Sequence, residues 1–265
     1  MTPLRVGRIA DLNMFPLYHR LDSTRSPGLA FRDGHPAELN RALLAGDLDV
    51  SAMSSIEYAR NATSLRLLPA ASISARGAVA SIQVFSRVPF TEIRRVAITP
   101  ASATSVALLR ILLGPEPVFE PLECAAPDAL TRVDGVLLIG DEALHGILRP
   151  FAPHATDLGQ AWRIATGLPM VFAVWAARAD VAERRWPELQ DLACVLEDGR
   201  SAFAEDPGTV VAAARRRYPF PEDFIATYLR RLSYGFGPDE RAGLARFLDL
   251  AAEAGLIPAA ARAAA

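Results

Sequence analysis

Leu44-Ala-Gly-Asp-Leu-Asp-Val-Ser-Ala-Met-Ser-Ser-Ile-Glu-Tyr58 joins a helix end, a short buried strand and a hydroxyl-bearing turn into another helix. Upstream, Leu39, Leu43 and Leu44 recur at helical spacing from Pro36 to Ala45, and Gly46 stands where a left-handed C-cap ends a helix. Asp49 to Met53 alternates too little for a half-exposed strand, so a short buried strand is expected. Ser54 with Glu57 three residues later matches a capping box, which places Ser54 at the strand end and at the start of the next helix. Free amides at a helix start attract anions, and the adjacent hydroxyls of Ser54 and Ser55 add donors. A strand feeding such a turn is the wiring of a small-molecule cleft; the plainer reading is that Ser54 caps its own helix.

The same alternation runs outward. Leu4 to Ala10 reads as a strand, followed by a turn containing Asn13 and a short helix from Pro16 toward Leu21. Arg66 to Leu68, Val79 to Phe85, Arg95 to Thr99 and Val133 to Ile139 read as strands. Pro100-Ala-Ser-Ala-Thr-Ser105 turns into a helix through Val106 to Leu113, and Gly140-Asp141 opens another. Three strand-to-helix turns carry small polar residues, and in open α/β sheets ligands bind at the carboxyl ends of strands. After about Arg178 helices dominate: Ala182 to Leu196, Ser201 to Tyr218, Pro221 to Leu232 and Pro238 to Ala254.

Composition removes several classes of function. The chain has 265 residues, is 51% hydrophobic and has a formal net charge of −2, which gives no ground for nucleic-acid binding. All 28 basic residues are arginine, so there is no lysine for a Schiff base and none for a P-loop. Cys124 and Cys194 are too few for a disulfide framework, and His19, His35, His145 and His154 lack metal-site spacing. Reduced thiols, a cytoplasmic location and no metal or cofactor are expected. No apolar run is long enough to span a membrane, and the start lacks the pattern of a signal peptide.

Residues 87–174 have strands and helices of their own, so they are expected to form one lobe, with 1–86 and 175–265 forming the other and a ligand cleft between. Val79 to Phe85 going out and Met170 to Trp175 coming back would be two crossover strands at a hinge. This α/β arrangement resembles the bilobal periplasmic-binding-protein fold of the second type, shared by solute receptors, regulator effector domains and some enzymes.

Particular strings narrow the choice. Val6-Gly-Arg-Ile-Ala-Asp-Leu-Asn-Met-Phe-Pro-Leu17, Gly46 to Tyr58, and Asp157-Leu-Gly-Gln-Ala-Trp-Arg-Ile-Ala-Thr-Gly-Leu-Pro169 together resemble the MqnA family. Pro100 to Ser105, Ile139-Gly-Asp-Glu-Ala-Leu144 and Val171-Phe-Ala-Val-Trp175 add to the match, in order, over roughly residues 4–178. Asp11 departs from the Tyr that commonly precedes Leu-Asn, and Met170 from the Phe that commonly follows Gly-Leu-Pro. Strand alternation puts Asp11 and Asn13 on one side.

The resemblance implies a chorismate dehydratase of the futalosine route to menaquinone. Its reaction removes water from chorismate to leave 3-[(1-carboxyvinyl)oxy]benzoate. Such an elimination takes a ring proton, releases hydroxide and must accommodate two carboxylates, and it needs no metal or redox cofactor. Asn13 and Asp141 are the candidate catalytic residues; Ser54, Ser55, Ser81, Thr104, Ser105 and Gly140 are the candidate substrate contacts. Asp141 is the best side-chain base by chemistry, although a carboxylate there also suits a helix cap. A carboxylate of the substrate is the other candidate base. Trp162 is expected to pack, and Arg215-Arg-Arg217 to be a solvated helix end. The alternative is a non-catalytic receptor for a small aromatic or carboxylate solute. A regulator's effector domain ranks behind both, since no helix-turn-helix precedes Leu4.

Overall fold

The structure, a computed structural model, describes residues 2–24 and 28–264. β1 (Leu4–Ile9) passes through a 3-10 turn at Leu12–Met14 into α1 (Phe15–Thr24); β2 (Leu29–Gly34), α2 (Pro36–Ala45), β3 (Val50–Ser54), α3 (Ser55–Arg60) and β4 (Leu65–Ala75) follow. The next elements are β5 (Ile82–Ser86), β6 (Arg95–Ile98), α4 (Ala103–Leu113), β7 (Val118–Pro121), α5 (Ala126–Ala129), β8 (Gly135–Ile139), α6 (Gly140–Leu148), β9 (His154–Asp157) and α7 (Leu158–Thr166). β10 (Met170–Arg178) leads into α8 (Ala179–Arg184), α9 (Trp186–Glu205), α10 (Pro207–Arg215), α11 (Glu222–Leu229), β11 (Leu232–Ser233) and α12 (Pro238–Glu253).

Two mixed sheets result. One is six-stranded in the order β11-β4-β10-β3-β1-β2, the other five-stranded in the order β7-β6-β8-β5-β9. β1 is parallel to β2 and β3, and β6 is parallel to β7 and β8, so strand ends and helix starts of both sheets come together. β5 pairs only with β8 and β9, while β10 pairs with β3 and β4. Pairing thus places the changes of sheet in residues 76–81, which overlap the start of the expected Val79 to Phe85 crossover, and in 158–169, just before Met170 to Trp175.

The opening stretch folds as its residues dictate. Gly46 ends α2 at φ 86°, and the left-handed geometry lets its N–H reach back to Ala42 and Leu43 carbonyls. All five residues of β3 are buried, because β1 and β10 flank it. In the five-stranded sheet Val84, Val96 and Leu137 join the main apolar core, whereas their neighbours Phe85, Ala97, Val136 and Leu138 form a smaller cluster on the other face. Trp162 on α7 is fully buried, donates Nε1–H to the Pro169 carbonyl at 3.2 Å and meets Phe247 of α12 edge-on at 6.1 Å. It packs rather than reacts, and ties the segment returning from the second sheet to the C-terminal helices.

Candidate active site

The helix starts that face each other across the two sheets are linked directly. Ser54 occupies the N-cap position of α3, but its side chain makes no capping bond; the Ile56 N–H instead donates to Thr104 Oγ1 at 3.2 Å. A residue of α4 therefore caps a helix of the other lobe. The capping box expected at Ser54 and Glu57 does not form, because Glu57 is drawn into an ion pair with Arg60 and Ser54 Oγ faces the Asn40 amide at 3.4 Å. Ser55 Oγ donates to the Val171 carbonyl at 2.7 Å. Ser105 shares a hydroxyl pair with Ser102 at 2.9 Å, and Ser102 caps α4 by accepting from the Ser105 N–H. Ser55, Thr104 and Ser105 are fully buried, and of the three only Thr104 bonds across from one lobe to the other. Ser102 was missed in the sequence, although a serine just before Ala103 is a readable cap.

Two hollows open on either side of the ridge made by Pro36 and Thr99 to Ala101. One, of about 510 Å³, is lined by Asp11, His35, Gly140 and Asp141 among others. The second, of about 550 Å³, is lined by Ser54, Asn40 and the first turns of α4. The structure thus brings Gly140 and Asp141 together in one hollow and places Ser54 in the other. Asn13, on the 3-10 turn next to Asp11, has a buried Oδ1 with no donor in the described structure. An unsatisfied buried amide oxygen is costly, and neither Asn13 nor Ser81 lines either hollow.

Asp141 lies in the first turn of α6, where no side chain caps the helix. The capping role that competed with a base role is therefore not taken up. Burial pushes the Asp141 carboxyl above its usual range and the negative charge of Asp11 raises it further, while His145 opposes this. Burial likewise raises Asp11, with His35 acting in the opposite sense. Asp11 does face the hollow: its Oδ2 lies 3.7 Å from where a side chain on Gly140 would begin, and Gly140 itself has φ 57°. The two carboxyls come from different lobes, and like charges at such a site disfavour each other.

Ser81 is held by an unusual turn. Its N–H donates to the Val79 carbonyl at 2.8 Å around Ala80, which has φ 61°, and its own carbonyl accepts from the Gly140 N–H at 2.8 Å. A hydrogen bond from i+2 to i around a positive φ is the rare, strained kind of γ-turn, and an alanine persists there only if its surroundings impose it. Asp157 imposes it. One carboxylate oxygen accepts from Val79 N (3.0 Å) and Gln160 N (3.0 Å), the other from Ala80 N (2.7 Å) and Gln83 Nε2 (2.8 Å). The hydroxyl of Tyr228, from α11, lies against Ser81, and burial pushes its pKa well up, which keeps it a neutral donor. Neither Gln83 nor Tyr228 carried any signal in the sequence, because both reach the site through tertiary packing.

Comparisons with known proteins bear on this arrangement. Residues 4–253 match a family model described as menaquinone biosynthesis. A chorismate dehydratase of Thermus thermophilus is 35% identical over 267 residues, covering 94% of this chain and 95% of its own length. One of Campylobacter jejuni is 30% identical over 172 residues, covering 63% of this chain and 64% of its own length. Among solved structures, a protein of Archaeoglobus fulgidus superposes with a TM-score of 0.78 at 18% identity, covering 96% of this chain and 98% of that one. The periplasmic aliphatic sulphonate binding protein SsuA of Escherichia coli superposes at 0.70 with 17% identity, covering 97% and 94%. These likenesses show an α/β bilobal fold of the periplasmic-binding-protein kind.

Proposed function

The chain belongs to the menaquinone-biosynthesis family, the MqnA family, and on that premise we propose that it is a chorismate dehydratase, a carbon–oxygen hydro-lyase that forms 3-[(1-carboxyvinyl)oxy]benzoate. The single observation that carries the reading to this chain's chemistry is the half-buried Asp141 carboxyl that lines the 510 Å³ hollow, raised above its usual pKa by desolvation and free of the capping role. The hollow is of the size that ligand sites have.

The reaction asks for a proton acceptor, a donor for the departing hydroxide and a shielded pocket. Asp141 is positioned to take the ring proton from the carbon that bears the ether, while hydroxide leaves the neighbouring carbon and the ring becomes aromatic. Asp11, which faces the same hollow, is the candidate to protonate that hydroxide, so that a proton is removed and one supplied and only water is lost. Asn13 Oδ1 accepts from the substrate hydroxyl and orients it. Ser81 and the amides at the start of α6 donate to a substrate carboxylate. Thr104 acts from below, tying the start of α3 to α4 and so holding the two lobes in register. A cytoplasmic site of action suits the two free thiols, Cys124 and Cys194.

The test is Asp141→Asn assayed with chorismate. If Asp141 is the base, turnover falls more than about a thousandfold while chorismate still binds. A fall of less than about tenfold would hand the proton to a carboxylate of the substrate instead.

A further inference from the structure

The second hollow, of about 550 Å³, adjoins the first along Pro36, Thr99, Pro100, Ala101 and Leu122, but Asp11, Gly140 and Asp141, which carry the proposed reaction, line only the first. Its walls come from both lobes. α4 presents Ala103, Val106, Ala107 and Arg110, spaced as one helical face, and α2 presents Ala37, Asn40, Arg41 and Leu44 opposite. The alanines on the two faces leave the space between them, and each face carries one arginine.

The polar groups indicate what fills that space. Asn40 is only 7% exposed, its Oδ1 has no donor in the described structure, and its amide nitrogen reaches Ser54 Oγ only at 3.4 Å. Arg60, also at the rim, is committed to Glu57 and to the Leu256 carbonyl. Arg110 is stacked over Phe119 at 4.1 Å, and no carboxylate among the described residues pairs with it or with Arg41. The rest of the wall is mainly apolar, with Ile98, Leu122 and Leu256 among it; Ser54, Thr99 and Ser102 add hydroxyl-bearing residues, and the one carboxylate, Glu57, is paired with Arg60. An apolar slot with uncommitted guanidinium groups and one unmet acceptor fits a flat apolar body that carries a carboxylate and a hydrogen-bond donor.

We propose that this hollow is an accessory binding site for a hydroxylated aromatic monocarboxylate, separate from the catalytic hollow across the Pro36 ridge. The carboxylate lies between Arg41 and Arg110, the ring between α2 and α4, and the hydroxyl donates to Asn40 Oδ1. Because α2 and α4 belong to different lobes, the bound ligand fastens the lobes together.

Calorimetric titration of the full chain with 3-hydroxybenzoate tests this. Saturable binding is expected. Arg41→Ala combined with Arg110→Ala should weaken it at least about tenfold, the effect of losing one good charge-assisted contact. Val106→Phe, which fills the slot, should abolish it, and Asp141→Asn should leave it within about twofold. Thermal melts of each variant establish that it is folded. No saturable binding to folded wild type, unchanged affinity in the double arginine variant, or loss of binding in Asp141→Asn would each overturn the proposal. Chorismate turnover is measured on the same preparations; its absence would count against the dehydratase reading and leave the binding result standing.

Discussion

Asp157→Asn probes how the strained turn before Ser81 is maintained. The substitution is nearly isosteric, but it replaces one carboxylate oxygen by an NH2 group, which donates only. Whichever way the amide is turned, the NH2 meets two N–H donors, since Val79 N and Gln160 N point at one oxygen and Ala80 N and Gln83 Nε2 at the other. Two hydrogen bonds to a charged acceptor are lost, worth about 1.5–3 kcal/mol each when fully buried. These are only part-buried and water can replace some of them, so a total of about 3 kcal/mol is expected. The strain at Ala80, on the order of 1–3 kcal/mol, is then no longer opposed, and the turn relaxes. Because Ser81 also accepts from Gly140 N, relaxation moves both lobes' contributions to the site. Urea denaturation should show a lower midpoint at unchanged slope, and chorismate turnover should fall at the same time. A loss of stability below about 0.5 kcal/mol would refute the idea that Asp157 imposes the turn.

Further outcomes follow from the same structure. Asp11→Asn should be more stable than the parent near neutral pH: the folded-state pKa of Asp11 lies above 3.8, so its contribution to stability falls as pH rises through that interval, and the two proteins should converge in acid when melts are compared across pH. Thr104→Val keeps the shape but removes the cap on α3 and should cost about 1 kcal/mol in urea titrations. Gly243→Ala places a methyl group onto the Pro169 carbonyl oxygen, backbone that cannot yield without moving α12, and should lower the melting temperature sharply.

The elements that were legible in the sequence are those whose local signals agree with their packing. α2 with its glycine cap, the buried β3 and α6 opening at Gly140 were read nearly to the residue. The strands that were not read, β2, β7, β9 and the two-residue β11, all lie at sheet edges; the first three, Leu-Ala-Phe-Arg-Asp-Gly, Val-Phe-Glu-Pro and His-Ala-Thr-Asp, look like loops, and β11 begins at the last residue of the expected Pro221 to Leu232 helix. β4 extends to Ala75 past Pro69 because the pairing with β10 breaks register between Ser72 and Leu68, and a bulge is where a strand tolerates proline. The helix expected over Ser201 to Tyr218 is divided at Asp206-Pro207, an N-cap followed by a first-turn proline, which was readable. The helix expected over Ala182 to Leu196 is likewise split, before Trp186-Pro187.

For the site, Asp141, Gly140, Asn13 and Ser81 are candidates the sequence offers, and of these Gly140 and Asp141 line the first hollow. What pairs with them was not visible, because the relations are distant in the chain: Thr104 caps a helix 48 residues upstream, and Asp157 accepts from residues 77 and 78 positions away. Ser54 and Thr104 look alike as hydroxyls at helix starts, and only the approach of the two lobes decides that one lines a hollow and the other caps its neighbour.

The central claim is that this chain removes water from chorismate. Purified protein incubated with chorismate and followed by proton NMR is predicted to show new aromatic ring signals together with retained vinyl signals of the ether, at a rate that scales with protein concentration. Chorismate that stays unchanged while bound to folded protein would contradict the account and leave a receptor in its place.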